Sequence, residues 1–183
     1  MLASSNVFLI RHAEKRGRVE PRGLSPMGEA RAQAYAAYFP SLPLAARAAN
    51  ASGHYHYLFA SHQTDESDRP HLTLQPLADR LRLEINTGYR DDDYSSLASQ
   101  LLVLDEFEGR NIIVCWHHGT ILKLADELLQ GRRLPPNADW PRLRVRFQRG
   151  RRKKKWPDEV FGWLLWIEYD AEGKLAGNTG CYR

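Results

Sequence analysis

An arginine and a histidine follow directly on an apolar run near the beginning of the sequence. Residues 7–10 are all apolar, which is typical of a strand buried on both faces, and Arg11 and His12 come next. In an open α/β sheet, ligands bind at the carboxyl ends of the strands. The pair is therefore either the centre of a site, where an imidazole reacts and a guanidinium binds an anion, or a structural coincidence.

Two further groups of polar residues take the same place after predicted strands. Ser61 and the stretch up to Arg69 follow a predicted strand at 55–60, and His118 follows one at 111–116. Because parallel strands end at the same edge of a sheet, these residues can meet the arginine and histidine of the first strand. Arg69 and His118 also precede predicted helices, whose N-terminal N–H groups favour an anion. Together they predict a phosphate-binding pocket.

The elements that must position these residues alternate between strand and helix. Ser25 and Pro26 predict a helix start, because serine is a good N-cap and proline fits the first helical position. Strands are predicted at 7–10, 55–60, 81–86, 111–116 and 160–169, and helices at 25–39, 69–80, 97–107 and 120–129, with a further short helix at 44–52. This order favours a three-layer α/β fold with a mostly parallel central sheet flanked by helices, in one domain over residues 1–183.

The composition is that of a folded protein, with 43% hydrophobic and 10% aromatic residues in 183. No apolar run is long enough to span a bilayer, and the first strand begins too early to leave room for a signal peptide. Cys115 and Cys181 are the only cysteines, which fits a reducing compartment. We therefore expect a cytoplasmic protein without membrane-spanning segments.

Four stretches of the sequence together resemble the histidine phosphatase superfamily, the phosphoglycerate mutase-like proteins. These are FLIRHAEK, LSPMGEARAQA, ASHQTDESDRP with Thr73 after it, and VCWHHGTI. The resemblance covers residues 6–130 and returns weakly in WPDEVFGWLLWIEYD. An RHxE motif alone is a modest signal, but the ordered arginine and His-Gly that follow make it specific. The resemblance implies a phosphoglycerate mutase-like fold and phosphoryl transfer without a metal or other cofactor.

The same resemblance implies roles for individual residues. His12 would be the nucleophile that becomes phosphorylated, and Arg11, Arg69 and His118 would bind the phosphoryl oxygens. His118 is preceded by a second histidine, His117, where relatives carry glycine or glutamate, and the Gly119 that follows favours His118. A carboxylate after the third strand supplies the proton in many relatives, which favours Asp91 and then Asp92. Glu14, as a support, and Ser61 complete the predicted substrate-binding residues.

Elementary chemistry agrees with these roles. A nucleophilic imidazole must be neutral, and arginines beside His12 disfavour a further positive charge on it. Phosphoryl transfer passes through a loose state with charge on the equatorial oxygens, which arginine forks match better than lysine. The opposing interpretations are that Arg11 and Arg69 are structural ion-pair partners, and that the aspartates at 91–93 form a turn and a helix cap. No metal site is predicted, because no set of ligands has suitable spacing.

A strongly basic segment, residues 142–155, lies outside the resemblance. It holds much of the formal net charge of +4 and is either a solvated loop, a steering patch for a phosphorylated substrate, or a contact for nucleic acid or another polyanion. The sequence therefore favours a phosphatase acting on a phosphorylated small molecule or phosphoprotein. The alternatives are a phosphate-binding module with little catalysis and a phosphoglycerate mutase-type phosphotransferase. The natural substrate and the oligomeric state stay open.

Overall fold

The fold is described here from a computed structural model, which covers residues 2–17, 22–44, 54–132, 146–148, 151–153 and 156–182. The strands are β1 Asn6–Arg11, β2 Tyr57–Ser61, β3 Ile85–Tyr89, β4 Asn111–Trp116, β5 Arg146–Gln148, β6 Arg151–Lys153, β7 Leu164–Glu168 and β8 Gly180–Tyr182. The helices are α1 Pro26–Tyr38, α2 Arg69–Leu81, α3 Tyr94–Val103 and α4 Ile121–Leu129, with 3₁₀ turns at Phe39–Ser41, Asp91–Asp93 and Asp105–Phe107.

Six of these strands form the central sheet, in the order β3-β2-β4-β1-β7-β8. The first four in that order run parallel to one another, whereas β7 is antiparallel to both β1 and β8. The sheet is thus mostly parallel, as predicted. Its four parallel strands end at one edge, and the residues that follow them are the ones that could form a site.

Alternating side chains of the buried strands separate the core into two layers. Val7 and Leu9 of β1 belong to the cluster that packs against α3 and α4, while Phe8 and Ile10 belong to the cluster on the side of α1 and α2. All four are fully buried. Helices therefore cover both faces of the sheet, and the predicted three-layer α/β fold is confirmed.

Helix α1 begins as the sequence predicts and buries its smallest residues. The Ser25 hydroxyl accepts a hydrogen bond from the Gly28 N–H at 3.1 Å, which is the predicted cap. The buried residues are Gly28, Ala32 and Ala36, whereas Met27 is 67% exposed. The smallest residues face inward because a Cβ at position 28 would lie 2.3 Å from the Glu14 carbonyl oxygen.

The third strand lies later than predicted. The prediction placed it at 81–86, but Leu81 is the last residue of α2 and Arg82 turns the chain in the left-handed region, with φ 57° and ψ 43°. Strand β3 begins at Ile85 and continues through Gly88 to Tyr89, beyond the predicted end at residue 86. Leu77 and Ala78 of α2 are buried, and their packing keeps the chain helical as far as Leu81.

The last predicted strand, at 160–169, is shorter than expected. Strand β7 begins only at Leu164, because the carbonyl groups of Val160 and Phe161 accept hydrogen bonds from side chains of Arg11 and Tyr35 instead of joining the sheet. Helix α3 begins earlier than predicted and ends at Val103, and β8 was not predicted.

The described residues leave out residues 45–52 of the predicted short helix at 44–52. They also leave out most of the basic segment, in which only β5 and β6 are described, as an antiparallel pair.

Within the parts of the chain given above, no helix combines the length and apolar character needed to cross a membrane.

Candidate active site

The pairing of β1 with β4 determines which histidine faces His12. Arg11 pairs with Trp116, the last residue of β4, and the His12 N–H donates to the Trp116 carbonyl at 3.1 Å. The residues that follow this pair are His12 on one strand and His117 on the other. Their rings meet edge to face, with centroids 5.0 Å apart. The sheet therefore brings His117 against His12, a contact that the sequence-based preference for His118 missed.

His12 is buried and electrically neutral. Its side chain is only 3% exposed. Burial, and then the charges of His117, Arg69 and Arg11, lower the pKa of His12 to about 2, although the hydrogen bond with the Ala13 carbonyl opposes this change. That hydrogen bond joins His12 Nδ1 to the Ala13 carbonyl at 2.7 Å. In a neutral ring Nδ1 must then carry the proton, so Nε2 has the free lone pair of a nucleophile.

His117 is also kept neutral by its surroundings. Burial, followed by the charges of Arg69, His118 and Arg11, lowers the pKa of His117 to about 4. His118 lies farther out, with 38% of its side chain exposed, and its Nε2 is 3.5 Å from Asp158 Oδ1. Of the two adjacent histidines, His117 is the inner one and His118 stands at the rim.

Arg11 offers only part of its guanidinium group to a ligand. Its Nη1 donates to the carbonyl groups of Pro157, Asp158 and Val160 at 3.1, 2.7 and 3.1 Å, and its guanidinium carbon lies 3.9 Å from the centre of the Phe161 ring. Its Nε is buried with no hydrogen-bond partner among the described residues. A buried donor without an acceptor is costly, so an anion at this edge would satisfy it.

Arg69 begins helix α2 and acts on both inner histidines. Its positive charge lowers the pKa of His12 and of His117, and burial lowers its own pKa. The first turn of α2 is tied to the loop after β1 through Thr73, whose hydroxyl accepts from the Ala13 N–H at 2.9 Å and donates to the Arg69 carbonyl at 2.7 Å. Thr73 therefore joins the start of α2 to the loop after β1, a role that its position in the sequence did not indicate.

Glu14 is occupied by an ion pair with helix α1. Arg31 donates to its carboxylate through Nε at 3.0 Å and through Nη2 at 2.7 Å. Burial alone would raise the pKa of Glu14, but the hydrogen bonds from Arg31 outweigh it and the pKa is lowered. These contacts are those of a support for the loop after β1, and the predicted part of Glu14 in substrate binding stays a prediction.

Ser61 ends strand β2 and is almost completely buried, at 1% exposure. Its hydroxyl has no hydrogen-bond partner among the described residues. Its predicted role in substrate binding therefore stays a prediction.

Asp91 lies at the same cavity as the histidines. The Thr120 hydroxyl donates to its Oδ1, and the Trp116 indole N–H donates to its backbone carbonyl at 3.2 Å. Burial, with a smaller contribution from Asp92, raises the pKa of Asp91 even though the Thr120 hydrogen bond opposes the shift. A carboxyl group with a raised pKa retains its proton to higher pH, which suits a proton donor.

Of the residues described above, Arg69, Asp91, His117 and His118 line an open cavity of about 610 Å³. That volume is in the range of sites for small molecules. Other charged side chains of both signs also line it, including Lys15, Arg90 and Glu66. The arrangement can bind an anion beside a neutral imidazole and still hold a polar group attached to it.

Comparison with solved structures identifies the fold. The protein histidine phosphatase SixA complexed with tungstate matches with a TM-score of 0.56 at 15% identity, over 94% of both chains. A mycobacterial glucosyl-3-phosphoglycerate phosphatase matches with a TM-score of 0.54 at 13% identity, over 96% of this chain and 97% of that one. Phosphoglycerate mutase from Plasmodium falciparum matches with a TM-score of 0.53 at 9% identity, over 94% and 87%.

Comparisons at the level of sequence find no counterpart: no family model matches the chain, and no curated protein matches it significantly. The likeness is therefore one of tertiary structure, and it extends over nearly the whole chain. All three solved structures have the fold that the RHxE and His-Gly motifs of this sequence predict. This protein has the three-layer α/β fold of the histidine phosphatase superfamily, the phosphoglycerate mutase-like fold.

Proposed function

We propose that this protein is a phosphatase that hydrolyses phosphate monoesters through a phosphohistidine formed on His12, without a metal ion. The observation that carries the proposal is the hydrogen bond of His12 Nδ1 with the Ala13 carbonyl at 2.7 Å. It fixes the tautomer of a buried neutral imidazole, so Nε2 is free to attack phosphorus.

In this proposal three cationic or donor groups hold the phosphoryl oxygens. Arg11 would bind through its buried Nε, which has no partner among the described residues, and Arg69 would bind from the start of α2. His117, the ring in contact with His12, takes the place that the sequence suggested for His118. These donors would stabilise the charge that spreads over the equatorial oxygens as the bond to phosphorus breaks.

The reaction balances with one proton donor. In the first step, His12 Nε2 forms a bond to phosphorus while the ester oxygen leaves and takes a proton from the Asp91 carboxyl group. In the second step, Asp91, now a carboxylate, takes a proton from the water that attacks the phosphohistidine. The nitrogen–phosphorus bond breaks, inorganic phosphate leaves, and His12 and Asp91 return to their first states.

The substrate would be a polar phosphorylated molecule. The cavity of about 610 Å³ has room for a leaving group beside the phosphate, and its lining of both charges favours a polar one. The solved structures with this fold include a protein histidine phosphatase and a sugar-acid phosphatase, so both a phosphorylated side chain and a phosphorylated metabolite are compatible substrates. We propose both classes for the first screen, with the chain acting as one domain in the cytoplasm.

Hydrolysis of an aryl phosphate in the presence of a chelator tests the proposal. We expect turnover that is lost in His12→Ala and retained in His54→Ala, whose side chain is exposed. Rapid quenching should trap a phosphoenzyme that is stable in base and labile in acid, as expected for phosphohistidine. Activity that disappears with the chelator and returns with a metal ion would contradict metal independence.

The same assay separates the alternatives. No turnover at any pH, with phosphate still bound, would favour a phosphate-binding module. A phosphoenzyme that passes its phosphoryl group to a sugar acid faster than to water would favour a mutase. Binding of nucleic acid that weakens with salt and is lost when residues 151–155 are neutralised would assign the basic segment to a polyanion.

A further inference from the structure

The loop that precedes β7, residues 156–161, holds the side chain of Arg11. Two kinds of contact do this: Arg11 Nη1 donates to the carbonyl groups of Pro157, Asp158 and Val160, and the guanidinium carbon lies 3.9 Å from the centre of the Phe161 ring. Arg11 is the last residue of β1, but β1 itself fixes only its backbone. The direction in which its remaining N–H groups point is therefore set by the 156–161 loop.

Trp156 connects this loop to the core. Its side chain is fully buried and packs against Trp163, with ring centroids 5.3 Å apart. Its indole N–H donates to the Val160 carbonyl at 2.7 Å. That carbonyl also accepts from Arg11 Nη1 at 3.1 Å. A carbonyl oxygen has two lone pairs, so these two donors complete the hydrogen bonding of Val160 and fix its orientation.

The loop is closed on itself by a second pair of contacts. The Val160 N–H donates to the Pro157 carbonyl at 3.2 Å, and the Pro157 carbonyl also accepts from Arg11 at 3.1 Å. The loop is further joined to helix α1, because the Tyr35 hydroxyl donates to the Phe161 carbonyl at 3.0 Å. Both ends of the loop are thus anchored, and Trp156 contributes the shortest of the hydrogen bonds that hold Val160.

We infer that Trp156 is a positioning residue for phosphate binding, acting through the Val160 carbonyl on Arg11. The inference rests on the proposed function only in assigning Arg11 to the phosphate. By holding Nη1, the loop leaves the buried Nε for contact with an oxyanion. An arginine aligned before the ligand arrives binds it without an additional ordering cost.

Trp156→Phe tests this inference because it keeps the buried ring and removes the N–H. We expect the dissociation constant for inorganic phosphate, measured by calorimetry, to rise about three- to tenfold, the effect of one hydrogen bond. In a turnover assay KM should rise by a similar factor with a smaller change in kcat. Trp166→Phe is the matched control, since Trp166 donates to Asn6 Oδ1 at 2.8 Å, at the opposite end of β1 from Arg11.

A double-mutant cycle distinguishes positioning from general damage to the fold. In an Arg11→Ala background, Trp156→Phe should have no further effect on phosphate binding, because the group on which it acts is gone. Equal losses in the two backgrounds would overturn the inference, as would unchanged phosphate affinity in a folded Trp156→Phe variant. If Trp156→Phe does not fold, Phe161→Leu removes the half-exposed ring over Arg11 and should weaken phosphate binding in the same Arg11-dependent way.

The measurement of phosphate affinity separates this inference from the proposed function. A protein that binds phosphate through Arg11 and Trp156 but hydrolyses no ester would retain the inference and lose the phosphatase. A protein with full activity in both the Arg11→Ala and Trp156→Phe variants would lose the inference and retain the phosphatase.

Discussion

At the scale of single residues, burial keeps the His12 ring neutral, as the proposed nucleophile must be. An exposed histidine is partly protonated near neutral pH, and a protonated ring has no lone pair to donate. Burial and the neighbouring His117, Arg69 and Arg11 lower the pKa of His12 to about 2, so the ring is neutral throughout the physiological range. The neutral state of this ring is therefore a property of its surroundings.

His117 should matter more than His118. We expect His117→Ala to lower kcat/KM about 10²- to 10³-fold, the usual effect of removing one donor to a transferring group, because its ring contacts His12. His118→Ala should lower it less than about tenfold, since His118 lies at the rim near Asp158. Steady-state kinetics of the two variants makes the comparison. The opposite order would restore the assignment that the sequence favoured.

Asp91 should give the reaction its dependence on pH and on the leaving group. Because burial raises the pKa of Asp91, its acid form persists to higher pH than in an ordinary aspartate, and kcat should fall as pH rises through that raised pKa. Asp91→Asn should remove this fall and lower kcat about 10²-fold on an alkyl phosphate, but less than about tenfold on a nitrophenyl phosphate, whose leaving group needs little help.

The comparison variant for this prediction is Asp92→Asn, whose carboxylate is 82% exposed and lies 3.8 Å from Arg90. It should retain the pH profile of the parent protein. A leaving-group-dependent defect in Asp92→Asn, with a normal Asp91→Asn, would transfer the donor role to Asp92.

At the scale of elements, the closeness of helix α1 to the loop after β1 depends on Gly28. A Cβ there would meet the Glu14 carbonyl oxygen at 2.3 Å and its amide nitrogen at 3.0 Å. We expect Gly28→Ala to lower the free energy of unfolding by about 1–3 kcal/mol, as other overpacked sites do, and to lower activity through the displaced loop. Denaturant titration gives the first value and kinetics the second.

Gly23→Ala is the matched control for this helix, because a Cβ at position 23 would meet nothing within 4 Å. It should leave both the unfolding midpoint and kcat/KM unchanged. If Gly28→Ala behaved like Gly23→Ala, α1 would be free to move away from the loop, in spite of the Glu14–Arg31 ion pair and the hydrogen bond from the Ser25 N–H to the Glu14 carbonyl.

For the whole molecule, two buried neutral histidines make stability depend on pH. The pKa values of His12 and His117 are lowered to about 2 and about 4, against an unfolded value of about 6.5. The unfolded chain therefore binds protons that the folded chain excludes, and stability falls as pH drops below about 6.5. Between pH 7 and pH 5 each histidine should remove about 2 kcal/mol of the free energy of unfolding.

The variant that checks this linkage is His12→Asn, whose amide keeps a donor in the position of Nδ1. Denaturant titrations at pH 7 and pH 5 should show about 2 kcal/mol less loss in His12→Asn than in the parent protein. His54→Ala, with an exposed side chain, should lose as much as the parent. An unchanged loss in His12→Asn would mean that His12 is not held neutral by the fold.

Much of the secondary structure could be predicted from the sequence, because the hydrophobic pattern is clearest in the most deeply buried segments. Strand β4 was predicted with its observed bounds, since all of Asn111–Trp116 is buried and reads as a continuous apolar run. The Ser25 cap and the order of strands and helices were equally local. The bounds predicted for β3 and β7 were wrong. The burial of α2 delays the start of β3, and hydrogen bonds from the side chains of Arg11 and Tyr35 hold the residues before β7 outside the sheet.

The sequence by itself predicted the fold class and a site centred on Arg11 and His12. It also predicted that a second arginine and a second histidine lie at the same edge of the sheet. Only the tertiary structure shows that His117, rather than His118, contacts His12, because this contact depends on the register of Arg11 with Trp116 across two strands that are far apart in the chain. It also decided that Glu14 is held by Arg31 and that Arg11 is held by the 156–161 loop. Residue type and spacing carry the chemistry that a site could perform, but the partner that each side chain meets is fixed only when distant segments pack together.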